Sequence, residues 1–245
     1  MGGISTDLRT GLAFCTRLPV AAPSGGNLGQ AAWTFPLIGA LVGAVGALIL
    51  WLTGPLGPFV AATLAVAATT LMTGCLHEDG LADTADGFGG GATKARKLEI
   101  MRDSRSGAYG MTALILSFML RAGALASLAA AGAGVAALIA AHAGARAGMA
   151  LFMATVPQAR QDGLSAGAGT PELGTTAGAA ILGLLALLLC LGVGAGLLAA
   201  LLVVLVLAGM ARLARRQIGG QTGDVLGAVE QVSEIVILLT AVALL

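Results

Sequence analysis

The chain has 245 residues, 57% of them hydrophobic and only 10% charged, with a mean hydropathy of +0.93 and a formal net charge of +1. Those values exclude an ordinary soluble domain and leave an integral membrane protein. A nearly neutral chain with no basic tract interleaved with aromatics also excludes a nucleic-acid binder.

In chain order, the amino end carries Asp7, Arg9 and Arg17 where a signal peptide needs an unbroken apolar core. Ile4, Leu8, Leu12 and Cys15 recur at helical spacing, which predicts an amphipathic helix lying in the membrane interface. A span needs roughly 20 apolar residues to cross about 30 Å of hydrocarbon. Glycine and proline signals divide the apolar stretches into seven candidate spans, at about 31–52, 57–76, 107–131, 134–156, 175–191, 195–211 and 225–245. The connections alternate. "TGPLG", "AGAG" and "GVG" are short and uncharged, while the others hold Arg9 and Arg17, Lys94 to Arg105, Arg160, and Arg212 to Arg216. The bias of basic residues to the inner side puts these in the cytoplasm and the carboxyl end outside. The fold class is therefore all-α: a polytopic membrane bundle of about seven transmembrane helices with an amphipathic N-terminal segment. It forms one domain over 1–245, with 1–30 as the interfacial N-terminus and 77–106 as an acidic, catalytic cytoplasmic loop.

The three cysteines, Cys15, Cys75 and Cys190, are far apart and read as small apolar packers rather than a zinc site or disulfide framework. The charge of interest is local. "HEDGLADTADGFGGG" (77–91) holds Glu78, Asp79, Asp83 and Asp86, and in a helix the last three share one face at i, i+4 and i+7. A helix start exploiting its dipole accounts for Glu78 and Asp79 but not for Asp83 and Asp86. Stacked carboxylates without interleaved lysines point to a cation, and all-oxygen ligands favour Mg²⁺ or Mn²⁺. The metal set is thus Asp79, Asp83 and Asp86.

After the glycine turn, Lys94, Arg96 and Lys97 are placed to neutralise a phosphate. "IMRDSRSGAYG" then offers Arg102 and Arg105 as phosphate clamps and Asp103 as a ligand or base. "GGQTGDVLGAVEQVSEIVILL" repeats the theme, with Asp224 at a glycine turn and Glu230, Gln231 and Glu234 inside the last span. Acidic residues in a span imply a site or an ion pair. Arg121 and Arg146 can answer them, with His142 one turn before Arg146. Depth counting at 1.5 Å per residue predicts an Arg146–Glu234 pair lining the floor of a cytoplasm-facing cavity.

The block "HEDGLADTADGFGGGATKARKLEIMRDSRSGAYG" resembles the signature of the cobalamin synthase family, the adenosylcobinamide-GDP ribazoletransferases. "FCTRLPV", "FPLIGALVG", "VPQARQDGLS" and "GGQTGDVLGAVEQVSE" extend the resemblance from end to end in the family's order. It implies a Mg²⁺-dependent multi-pass transferase of the bacterial cytoplasmic (inner) membrane, with its active face cytoplasmic. Its substrates would be adenosylcobinamide-GDP and α-ribazole or α-ribazole 5'-phosphate. Its products would be adenosylcobalamin or its phosphate, and GMP, with a ribose 5'-hydroxyl read as the attacking group. On this reading Asp83, Asp86, Arg102, Asp103, Arg105 and Asp224 are catalytic, and Lys94, Lys97, Arg146, Glu230 and Glu234 are binding residues; Asp103, Asp224 or Glu230 either completes the metal shell or acts as base, and Arg146 with Glu230 or Glu234 is either a substrate contact or a buried ion pair. Self-association is left open. Two other readings compete. A CDP-alcohol phosphotransferase shares D-x-x-D-G at Asp83, Asp86 and Gly87 but not the Ala-Arg pair that follows. A transporter would explain Arg121, Arg146 and Glu234, but the second half holds no repeat of the aspartate block.

Overall fold

The structure is a computed structural model describing residues 3–162 and 167–245. In chain order it contains α1 (Ile4–Cys15), α2 (Leu28–Ala31), α3 (Phe35–Thr53), α4 (Pro58–Thr73) and α5 (Leu76–Gly90). There follow α6 (Lys94–Ile100), α7 (Ala108–Ala130), α8 (Gly134–Thr155), α9 (Leu173–Ile218) and α10 (Gly223–Leu244). Among the described residues there is no strand. A single parallel bridge, Gln158 to Gln221, ties the chain after α8 to the α9–α10 turn.

Element ends follow the local chemistry. Pro36 and Pro58 sit in the first turns of α3 and α4, where a missing N–H costs nothing. Thr93 and Thr222 cap α6 and α10 by accepting from the N–H groups of Arg96 and Val225. Five segments are long and apolar enough to cross a membrane: Leu28–Leu56, α7, α8, α9 and α10. The 46 residues of α9 contain Gly192 at φ 78°, ψ 169°, a conformation suited to glycine that breaks the helix. The two halves fold back on each other. Gly196 lies against the backbone of Leu187, and the halves flank α8 at Gly183–Ala147 and Val203–Gly148. All seven segments expected from the sequence are thus helical, α4 being the one too short, at 16 residues, to span alone. The protein is a multi-pass membrane protein.

α8 is the central helix. It packs against α3, α9 and α10 and buries alanine and glycine along nearly its whole length, as close helix approach in lipid requires. Large apolar side chains such as Trp51, Phe59, Leu71, Met119, Leu189 and Leu205 face outward instead. The uncharged turns at Gly54–Pro58 and Ala129–Val135 lie together at one end. At the other end are gathered Asp79, Arg160, Asp162, Asp224 and Arg102.

The 77–106 segment is two helices rather than an extended loop. α5 leaves α4 at a bend of 89°, through Gly74 (φ 66°) and Cys75 (φ 60°). Glycine adopts this left-handed conformation freely, whereas Cys75 pays roughly 1–2 kcal/mol. α1 is helical as expected. Its Phe14 ring stacks on Phe35 at 5.9 Å, and Asp7 accepts a 3.0 Å hydrogen bond from the Trp33 indole, so α1 covers the polar end of the bundle.

Candidate functional site

α5 and α10 cross at Gly80 and Gly227, so closely that a Cβ on either would meet the other helix's backbone. That crossing brings Asp79 beside Asp224 at the mouth of a cleft of about 280 Å³, which His77 and Arg160 also line. Asp83, one turn further along α5, is half-buried. Burial, and then the charges of Asp79, Asp224 and Asp86, push its carboxyl up to about 7. Crowding of this kind makes a cation the natural partner. Arg160 is the basic side chain of the cleft. Its Nη2 and Nε lie 3.6 Å from Asp224 and Asp162, beyond hydrogen-bond reach, and its Nε and Nη1 are buried with no hydrogen-bond partner among the described residues.

Asp86 does something other than expected. Its Oδ2 accepts from the backbone N–H of Gly107 at 2.6 Å and its Oδ1 from that of Gly110 at 2.8 Å, capping the start of α7. Both oxygens are committed to a helix end, and Asp224 from the far end of the chain takes the place expected for Asp86 near Asp79 and Asp83. Among the described residues, the trio whose ligand atoms lie within 4.8 Å of one another is His142, Glu230 and Glu234, not the α5 aspartates.

The expected phosphate clamps are also engaged elsewhere. Arg102 bonds both oxygens of Asp162, at 2.5 and 2.7 Å. Arg105, 87% exposed, bonds Asp103, whose carboxyl it holds down at about 2. None of Arg102, Asp103 and Arg105 lines the cleft. Lys97 is buried, with its Nζ bonding the Phe88 carbonyl and the Gln217 side chain, so it fastens α6 to the end of α9. Lys94 is exposed at the start of α6.

The charges inside the bundle form a network of their own. Arg121 (1% exposed) bonds Glu78, Glu234 and Gln231, each at 2.9 Å. Thr70 and Ser117 close it by donating to Glu78 and Gln231, both at 3.0 Å. Arg146 pairs with Glu230 at 2.5 Å, and His142 Nδ1 stands 3.0 Å from Arg146 and 3.3 Å from Glu234. The predicted Arg146–Glu234 pair is therefore corrected by one helical turn. Arg146 meets Glu230, while Glu234 meets Arg121. Arg146, Glu230 and Glu234 do not line the cleft and serve the bundle's interior.

The family described as cobalamin-5-phosphate synthase matches residues 7–242. The adenosylcobinamide-GDP ribazoletransferase of Bradyrhizobium diazoefficiens is 55% identical over 98% of this chain and 94% of its own length. Those of Mesorhizobium japonicum and Azorhizobium caulinodans are 48% and 49% identical, over 97% and 96% of this chain and 93% and 95% of their own. The chain belongs to the cobalamin-5-phosphate synthase family. No solved structure matches it.

Within this cobalamin-5-phosphate synthase family member, Arg160 and His77 are the polar cleft residues that sequence reasoning missed. Both stood inside stretches that carried the resemblance, "VPQARQDGLS" and "HEDG", but neither has a same-face or spacing signal of its own. Gly163, Leu164 and Ser165 of the first stretch lie outside the described residues. The cleft offers one cation, three carboxylates nearby and an imidazole, a set able to hold a divalent ion and a phosphorylated substrate.

Proposed function

We infer that this chain transfers the adenosylcobinamide-phosphate group of adenosylcobinamide-GDP to α-ribazole or α-ribazole 5'-phosphate, releasing GMP. The near-full-length identity to ribazoletransferases carries the reading over a CDP-alcohol phosphotransferase or a carrier. An acceptor oxygen bonds to the cobinamide-bearing phosphorus, the bond from that phosphorus to the GMP oxygen breaks, and the acceptor hydroxyl loses its proton. The family's description names a product that keeps a 5-phosphate. An acceptor with its 5'-oxygen so occupied must attack through a ring hydroxyl, so the oxygen common to both acceptors is secondary and not the 5'-oxygen.

Asp79, Asp83 and Asp224 fit an oxygen-ligated divalent ion, because their mutual repulsion is relieved by one. Their all-oxygen chemistry suits Mg²⁺, which keeps several waters and takes one or two carboxylates plus substrate oxygens. Such an ion supplies charge stabilisation to the phosphoryl oxygens and the departing GMP. Asp79 and Asp224, the latter accepting from Thr222 at 3.1 Å, are the carboxylates of the cleft that would hold it, with Asp83 one turn further along α5. Their carboxylate oxygens are also groups able to accept the hydroxyl proton. The cleft faces the cytoplasm of a bacterial inner membrane on this reading, supported by Lys94, Arg96, Arg102, Arg212 and Arg216 at that end and uncharged turns at the other.

GMP release by the purified protein in lipid, with adenosylcobinamide-GDP and either acceptor, tests the assignment. Turnover that needs both substrates and is lost on chelation is expected. Hydrolysis without acceptor, or unchanged turnover in excess chelator, would contradict the transfer and metal claims respectively.

A further inference from the structure

The cleft's two kinds of wall carry information that the reaction alone does not. Phe14 of α1, Leu28 of α2, and Met149 and Met153 of α8 present only carbon and thioether sulfur, with Leu226 beside them. The polar lining, His77, Asp79, Arg160 and Asp224, comes from α5, the start of α10 and the chain after α8. At about 280 Å³ the cleft lies at the small end of ligand sites, roughly 300–1,000 Å³, room for one nucleoside-sized group and far less than a corrinoid needs.

Two nucleosides take part in the reaction, and they differ in chemistry. Guanine carries donors at N1 and N2 and acceptors at O6 and N7, all of which go unpaired against Phe14, Leu28 and the two methionines. The benzimidazole base of ribazole is flat and largely apolar, and methionine sulfur packs well against such a ring. A 5'-phosphate on its ribose needs a cation with donors to spare. Arg160 has them: among the described residues its buried Nε and Nη1 have no hydrogen-bond partner, and its ion-pair carboxylates, Asp162 and Asp224, stand 3.6 Å away. Buried guanidinium nitrogens with unmade hydrogen bonds are costly unless an anion completes them.

We propose that the cleft is the acceptor subsite: its apolar wall takes the benzimidazole of ribazole, and Arg160 receives the 5'-phosphate when the acceptor carries one. The guanosine of the donor then lies outside the cleft, with its diphosphate reaching the mouth at Asp79 and Asp224. The assignment rests on the transferase reading above. It makes the phosphorylated acceptor the better substrate and gives the site its preference through a single side chain.

Steady-state kinetics of the full-length protein in nanodiscs tests it, with each substrate varied in turn. Arg160→Gln raises KM for ribazole 5'-phosphate by about 10- to 100-fold more than KM for unphosphorylated ribazole or for adenosylcobinamide-GDP. Phe14→Ala raises KM for both acceptors and spares that for the donor. In the unaltered protein, which needs no variant to fold, inorganic phosphate competes with ribazole 5'-phosphate and not with the donor. GMP competes with the donor and not with ribazole. If Arg160→Gln or Phe14→Ala instead raises KM for adenosylcobinamide-GDP, or if phosphate competes with the donor, the cleft holds the guanosine diphosphate end and the proposal is overturned. No GMP release with either acceptor would overturn the transferase reading along with it.

Discussion

Two groups of charges share α5 and α10, on neighbouring residues at Glu78 and Asp79 of α5 and about two turns apart at Asp224 and Glu230 of α10, and they have opposite characters. The inner group, Glu78, Arg121, His142, Arg146, Glu230, Gln231 and Glu234, is at most 4% exposed and its members bond mainly to one another. In the outer group Asp79, Arg160 and Asp224 open on the cleft with Asp83 one turn along α5; its carboxylates repel, and among the described residues two nitrogens of its guanidinium have no hydrogen-bond partner. A charge in a membrane span therefore marks function poorly by itself. What separates scaffold from site is whether the charge is already answered. The inner group's three carboxylates and two guanidiniums cross-link α5, α7, α8 and α10, and so hold the outer group in register.

That division makes the two groups fail differently. The largest effect is expected inside: Arg121→Met strands Glu78 and Glu234, a loss of roughly 3–5 kcal/mol. It is read as a collapse in the yield or thermal stability of detergent-solubilised protein. Full stability in that variant would break the comparison from the scaffold side. Next, Asp224→Asn should cut GMP release roughly 10²- to 10³-fold by weakening charge stabilisation at the phosphoryl group. Its melting temperature should stay within a few degrees of the parent, since an Asn oxygen still accepts from Thr222 and Arg160 stands 3.6 Å away. A loss of folding equal to that of Arg121→Met would erase the distinction.

A smaller, graded effect comes from pH. Burial and the neighbouring aspartates push the Asp83 carboxyl up to about 7, and only the carboxylate holds a cation, so the Mg²⁺ concentration for half-maximal turnover should fall as pH rises from 6 to 8. Asp83→Asn should flatten that dependence, and an unchanged slope would remove Asp83 from the cation's surroundings. The smallest effect belongs to the rim. Arg105 is exposed and bonded to Asp103 two residues away, so Arg105→Lys should alter either KM by less than about twofold. A tenfold rise for adenosylcobinamide-GDP would return Arg105 to the role of a clamp.

Particular residues show where the sequence was legible. Glycine and proline punctuation located the seven helical segments, because those residues act on the backbone locally. Same-face spacing identified Asp79 with Asp83 and placed Arg121 and Arg146 against acidic partners, because helix periodicity is also local. The pairing itself was out by a turn. Glu230 and Glu234 differ by only about 6 Å along the axis, within the error of any span boundary. Asp86 shares the face of Asp83, but nothing in its own helix reveals that Gly107 and Gly110 return to use both its oxygens. Arg160 reads as one more inner-side cation until the α5–α10 crossing brings Asp224 against it.

The central claim, that metal-dependent chemistry belongs to the cleft and not to the buried network, is open to one direct measurement. Mn²⁺ can be located by anomalous scattering in crystals of the full-length protein, since it shares the oxygen preference of Mg²⁺. The account predicts a peak beside Asp79, Asp83 and Asp224. A peak among His142, Glu230 and Glu234, with Arg146 displaced from Glu230, would contradict it and move the active centre into the interior of the bundle.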